Sequence, residues 1–128
     1  MNAVTELLYK FDGGTVEYTK PLIYLWEVFD HDGKLLYCYV GKAKNGAGRP
    51  RKHYARNVRN LLLCRPYRKG KQEKFRHVHR QLARAVQSQH RIVLTLIRNV
   101  MPNEDINAIE REEQVRRGCP QLPVADSP

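Results

Sequence analysis

The sequence predicts an α+β domain, a small three-stranded and mostly antiparallel sheet flanked by helices. Three observations carry that reading. Two runs rich in β-branched and aromatic residues, 22–29 and 35–40, flank an Asp-His-Asp-Gly turn. Two stretches with helical apolar spacing follow, over about 49–63 and 72–88. A third apolar run, Arg91 to Ile97, then precedes a helical stretch that stops near Gly118.

Residues 1–20 are weakly patterned. Leu7, Leu8 and Phe11 suit a satellite strand or short helix, and Gly13-Gly14 marks a break. Leu22 to Phe29 and Leu35 to Val40 read as an antiparallel hairpin, with Gly33 free to take the positive φ of its turn. The hairpin brings Tyr24 close to Tyr39 or Tyr37. Lys44 to Gly48 is a loop. The helix after it tolerates Pro50 in its first turn, carries Tyr54, Val58, Leu61 and Leu62 as its apolar stripe, and ends at Arg65-Pro66. Residues 65–72 form a basic loop. The second helix has Phe75, Val78, Leu82, Ala85 and Val86 as its stripe. The nearly continuous apolar run 91–97 suits a central strand. Pro102-Asn103 opens the last helix, with Asn103 as N-cap and Glu104 and Asp105 in its first turn. The element order is β-β-α-α-β-α. The expected organisation is an N-terminal extension (1–20), one domain (21–122) and a tail (123–128).

With 128 residues, the chain can build one core without a staple. The cysteines, Cys38, Cys64 and Cys119, are odd in number and far apart. That argues against a disulfide framework and for a reducing compartment, so a cytoplasmic protein is expected. No Cys-x-x-Cys pair suggests structural zinc. No signal segment or membrane-spanning apolar run is present, and no membrane partner is expected.

Net charge is +10. Residues 42–84 hold 15 of the 23 basic residues and one acid, Glu73. Such a block repels itself unless a polyanion lies against it, and nucleic acid is the obvious one. A solvated face that keeps the protein soluble is the plainer alternative. The block also holds aromatic and imidazole groups suited to stacking or to phosphate. Its candidate nucleic-acid contacts are Lys44, Arg51, Lys52, Arg56, Arg68, Lys69, Lys71 and Arg76. His77 and His79, two apart on a helix, diverge and read as surface or phosphate contacts. Trp26 reads as core.

Tyr39-Val-Gly-Lys-Ala-Lys-Asn45 is the most informative run. A strand end passes into a Lys/Asn/Gly turn, and beyond it Arg49 and His53 stand four apart, a spacing that shares a helix face. Phenol, ammonium, guanidinium and imidazole together suit a phosphodiester. In the last helix, Glu110 and Glu113 fall on the face of Ile106 and Ile109, whereas Glu112 points away. A carboxylate beside an apolar stripe must be paired, hydrated or metal-bound. Taken singly, each of these residues has an ordinary structural reading.

Together they resemble the GIY-YIG nuclease domain. Leu22-Ile23-Tyr24 stands where that family has Gly-Ile-Tyr, and Tyr39-Val40-Gly41 stands for Tyr-Ile-Gly. The run from Tyr39 to Asn45 is similar to the incision domain of the bacterial excision-repair nuclease. Arg49 falls at the family arginine, and His53 where some members carry histidine and others tyrosine. Asp105 to Glu110 resembles the helix that delivers the metal-binding glutamate. The resemblance spans about residues 21–122. Leu22 replaces the first glycine, the hairpin is longer, and Pro120-Gln121-Leu122 leads to Pro123 where the family often has asparagine.

The resemblance implies a metal-dependent DNA endonuclease with Mg²⁺ or Mn²⁺ on Glu110 or Glu113. Its catalytic set would be Tyr24, Tyr39, Lys42, Arg49, His53 and Glu110. Water would be activated by a site tyrosine of lowered pKa or by His53. Arg49 would hold the scissile phosphate. Branched and damaged DNA both fit as substrates, with specificity drawn from loops, an oligomer or a protein partner. The competing expectations are a binding module that keeps the fold without cleavage, and a basic RNA- or ribosome-associated protein.

Overall fold

The computed structural model describes residues 4–65 and 76–119. It is α+β: a mixed four-stranded sheet with helices on both faces. The strands are β1 (Lys10–Asp12), β2 (Leu22–Phe29), β3 (Leu35–Ala43) and β4 (Arg91–Asn99). The helices are α1 (Tyr54–Leu62), α2 (His77–Gln87) and α3 (Ile106–Arg117). A single π-helical turn, Arg49–His53, runs straight into α1.

Strand order is β1-β4-β2-β3. The expected hairpin forms between β2 and β3, and β4 lies centrally as its unbroken apolar run requires. The fourth strand is the departure. β1 pairs parallel with β4, Phe11 opposite Leu94. Lys10–Asp12, within the segment expected as an N-terminal extension, are therefore part of the sheet. Leu7 joins the main core, with Tyr9 and Phe11 packed against it, and the Tyr9 ring meets Trp26 edge-on at 5.1 Å.

Strand alternation sorts the side chains onto two faces. Leu22, Tyr24, Trp26 and Val28 of β2 join Tyr39 and Ala43 of β3 against α1 and α2. Ile23, Leu25, Cys38 and Val40 face the other way, against Ile109 of α3. The register sets Tyr24 opposite Gly41, and Trp26 opposite Tyr39. Tyr24 thus passes over a glycine and meets Tyr39 only diagonally.

Three expectations about ends and links are corrected. The N-cap of α3 is Asp105, not Asn103; its carboxylate accepts from the Asn107 and Ala108 amides. Glu104 is accordingly outside the helix, bound to Arg98 and to the Met101 amide. Cys38 and Cys119 are disulfide-bonded, with their Cα atoms 5.4 Å apart although 81 residues separate them in sequence. Cys64 is a free, exposed thiol. The cysteine argument for a reducing compartment falls with that bond. No described helix is long and apolar enough to cross a membrane.

Candidate functional site

The site residues lie toward the end of β3, an edge strand, and fall into two groups on opposite faces of the sheet. The first group is a cluster of phenols and guanidiniums. Tyr24 reaches across β3 above Gly41. A Cβ on Gly41 would lie 2.8 Å from Tyr24 Cε1 and closer still to its Cζ and hydroxyl. Only a residue without a side chain admits this crossing. The Tyr24 hydroxyl then hydrogen-bonds that of Tyr54 at 2.7 Å. The Arg76 guanidinium donates to Tyr39 and, at 3.4 Å, to Tyr54. The Arg49 charge lies near enough to Tyr24 to act on its phenol.

Burial sets the protonation of this cluster. It pushes the Tyr24 phenol above its ordinary value, against the lowering effect of Tyr54, Arg76 and Arg49. Tyr54 is held well above it, first by burial and then by Tyr24 and Tyr39, with Arg76 opposing. The expectation of a lowered Tyr24 pKa is therefore reversed. At neutral pH both groups are neutral phenols that donate and accept hydrogen bonds; neither is a phenolate base.

The π turn explains a second correction. In an α-helix Arg49 and His53 share a face; in a π turn the hydrogen-bonded partner is five residues on. That partner is Tyr54. It turns inward onto Tyr24, while His53 is exposed at the end of the turn. Nothing in the sequence marks a π turn, and the spacing places Tyr54 in the apolar stripe of the helix.

Arg76, expected on the nucleic-acid surface, points inward. His79, also expected at the surface, is 3% exposed. Its Nδ1 accepts the Arg76 backbone N–H at 3.1 Å, and its Nε2 lies 3.3 Å from the Asn57 side-chain nitrogen. Burial, with Arg76, Arg49 and Arg80 nearby, pushes its pKa down to about 3. His79 thereby closes the α2 start that positions Arg76. His77 behaves differently, half-buried beside Gln81 and the Tyr37 ring.

The second group lies on the α3 face. Lys42 hydrogen-bonds the Asn107 side chain and stands 3.9 Å from Glu110. Glu110 is buried, with 8% of its side chain exposed. Glu113 is equally buried, but it pairs with Arg116 at 3.2 Å and Arg117 at 3.0 Å. The geometry therefore separates the two glutamates. Glu113 anchors the C-terminal turn of α3, and Glu110 is the carboxylate beside the Lys42 ammonium. No described group of three or more His, Cys, Asp or Glu side chains could hold a metal ion. A hard divalent cation at Glu110 fits only if water and phosphate complete its oxygen shell.

Around these groups lies a basic surface. Lys44, Lys52 and Arg56 are exposed. Arg59, Arg80 and Arg84 join them on α1 and α2, and none of the six has an acidic partner among the described residues. Arg51 is exposed but stacks on Phe11, its guanidinium carbon 4.3 Å from the ring centre. Arg68, Lys69 and Lys71 lie outside the described residues. No protein-family model, no curated protein and no solved structure matches this chain.

Proposed function

We propose that this chain is a metal-dependent endonuclease that hydrolyses DNA phosphodiester bonds at a GIY-YIG-like site. One observation carries the reading. Tyr24, crossing Gly41, and the Lys42–Glu110 pair flank the same two residues of an edge strand, next to Arg49 and a basic surface without acidic partners among the described residues. A core has no use for so many charged and hydroxyl groups at one strand end.

In this reading the exposed basic residues draw in the polyanion. Arg49 binds the scissile phosphate and offsets the charge that grows on it. Tyr24, a neutral phenol held by Tyr54, orients a water or a phosphate oxygen by hydrogen bonding. Lys42 neutralises Glu110 until a cation and phosphate arrive. A divalent ion held by Glu110 would supply Lewis-acid stabilisation to the departing oxygen. His53 is the exposed imidazole of the set, a group type able to carry a proton.

One feature favours a second reading. The Lys42–Glu110 pair is balanced in charge by itself, which suits a module that binds nucleic acid without cutting it. Incubating the protein with supercoiled plasmid and branched DNA, with Mg²⁺, Mn²⁺ or EDTA, separates the two. Metal-dependent nicking absent in Glu110→Gln is expected. Salt-sensitive binding without nicking under any metal would establish the module instead.

A further inference from the structure

A cleft of about 590 Å³ opens where β2 begins and β4 ends. It is walled by Pro21, Val100, Met101, Pro102 and Ile106, with Lys44 at its rim. It adjoins the candidate site, since Lys44 follows Lys42 by two residues and Ile106 precedes the Asn107 that holds Lys42. The polar groups of its wall are already committed. Glu17 pairs with Lys20 at 3.0 Å, and Glu104 pairs with Arg98 at 2.5 Å. The Asn99 amide accepts from the Glu17 N–H and donates to the carbonyls of Glu17 and Pro21. Lys44 is the one charged side chain of the lining with no acidic partner among the described residues. Met101, at 57% exposed, leaves an apolar thioether open to water.

The occupant must match apolar walls, one cation and a modest volume. A duplex is far too wide. A single nucleotide, with its flat base and one phosphate, has the right size and charge. We propose that this cleft takes up an unpaired nucleobase from a nucleic-acid strand whose phosphate Lys44 holds at the rim. The proposal rests on the nucleic-acid reading of the neighbouring site. Stacking on Met101, Pro102 and Ile106 supplies the contact. With Asn99 committed, no side-chain amide remains among the described lining residues to read the base edge, so the cleft accepts bases by shape and not by sequence.

Methionine provides the test, because the chain carries only Met1 and Met101. Protein labelled with ¹³C-methyl methionine is titrated in EDTA with three probes: thymidine trinucleotide, the same trinucleotide abasic at its centre, and thymidine monophosphate. The trinucleotide should move the Met101 methyl signal upfield through the ring current of the stacked base. The abasic analogue should bind about tenfold more weakly and leave that signal in place. Lys44→Ala should weaken the trinucleotide about threefold or more. An unmoved Met101 signal, or equal shifts with the abasic probe, overturns the proposal. Monophosphate binding as tight as the trinucleotide's overturns the strand as its source. Plasmid nicking is scored separately with Mg²⁺. Nicking with an unmoved Met101 removes the cleft alone, whereas a base-dependent shift without nicking keeps the cleft and removes the nuclease.

Discussion

The Tyr24 and Tyr54 hydroxyls share a hydrogen bond of 2.7 Å in a space closed to water, although the residues come from a strand and a helix start 30 positions apart. Arg76 reaches Tyr54 from a third element. The bond makes Tyr54, not His53, the residue through which the π turn acts on Tyr24. Tyr54→Phe should therefore lower turnover further than His53→Ala does. It should also cost about 1–3 kcal/mol of stability by leaving buried groups unpaired. Single-turnover cleavage and urea titration of both variants check this. The reverse order of turnover would make His53 the more important group.

The two buried glutamates of α3 should separate cleanly. Glu110→Gln should abolish metal-dependent nicking and spare DNA affinity. Glu113→Gln should keep the cleavage rate and lose about 1–3 kcal/mol of stability, having removed a buried partner from Arg116 and Arg117. Nicking, filter binding and thermal unfolding on both variants give the answer. Loss of nicking in Glu113→Gln at full stability would transfer the metal role to Glu113.

Gly41→Ala should be severe for a single methyl. The new Cβ overlaps the Tyr24 ring, so the phenol must leave Tyr54 or the strands must part. A loss of about 1–3 kcal/mol is expected, together with most of the nicking activity. Near-wild-type values in urea and cleavage assays would mean that Tyr24 has another place to go.

Acid should destabilise the fold through His79. Its folded pKa of about 3 lies below its ordinary 6.5. The unfolded chain therefore binds a proton that the fold refuses, and stability is lost as pH falls from about 6.5 toward 3. The slope attributable to this one group is at most about 1.4 kcal/mol per pH unit. His79→Gln should flatten the pH dependence of urea midpoints in that window. An unchanged slope would show that the imidazole protonates without cost.

Reduction should matter as well. The Cys38–Cys119 bond closes a long loop, and removing it should cost about 2–4 kcal/mol. Thiol titration of unfolded protein should count one free group before reduction and three after. Three before reduction would mean that the pair is open in solution.

Much of this architecture is legible in the chain. Runs such as Leu22–Phe29 and Arg91–Asn99 are apolar on both faces, and only central strands need that. Gly118 marks the end of α3 through its left-handed conformation. What stays hidden depends on distant contacts or on small changes of winding. β1 is three residues long, alternates Lys-Phe-Asp, and gains its meaning only from β4. The π turn exchanges His53 for Tyr54 without any sequence signal. The arginines of α2 look alike in sequence, yet Arg76 turns inward and Arg80 outward, because only Arg76 stands at the helix start next to Tyr39. The set Tyr24, Tyr39, Lys42, Arg49, His53 and Glu110 is what the family resemblance implies. Their division between two faces of a sheet is read only from the structure.

The short parallel strand at the beginning of the chain has a practical consequence. A fragment cut to the apparent motif boundary at residue 21 would strip a neighbour from Trp26 and leave β4 with a bare hydrogen-bonding edge. Such an edge recruits other chains. A truncated preparation that precipitates, or that cleaves nothing, would therefore report on a missing seam of the sheet and not on the chemistry of the site. Any expression plan should keep Leu7 to Asp12 attached.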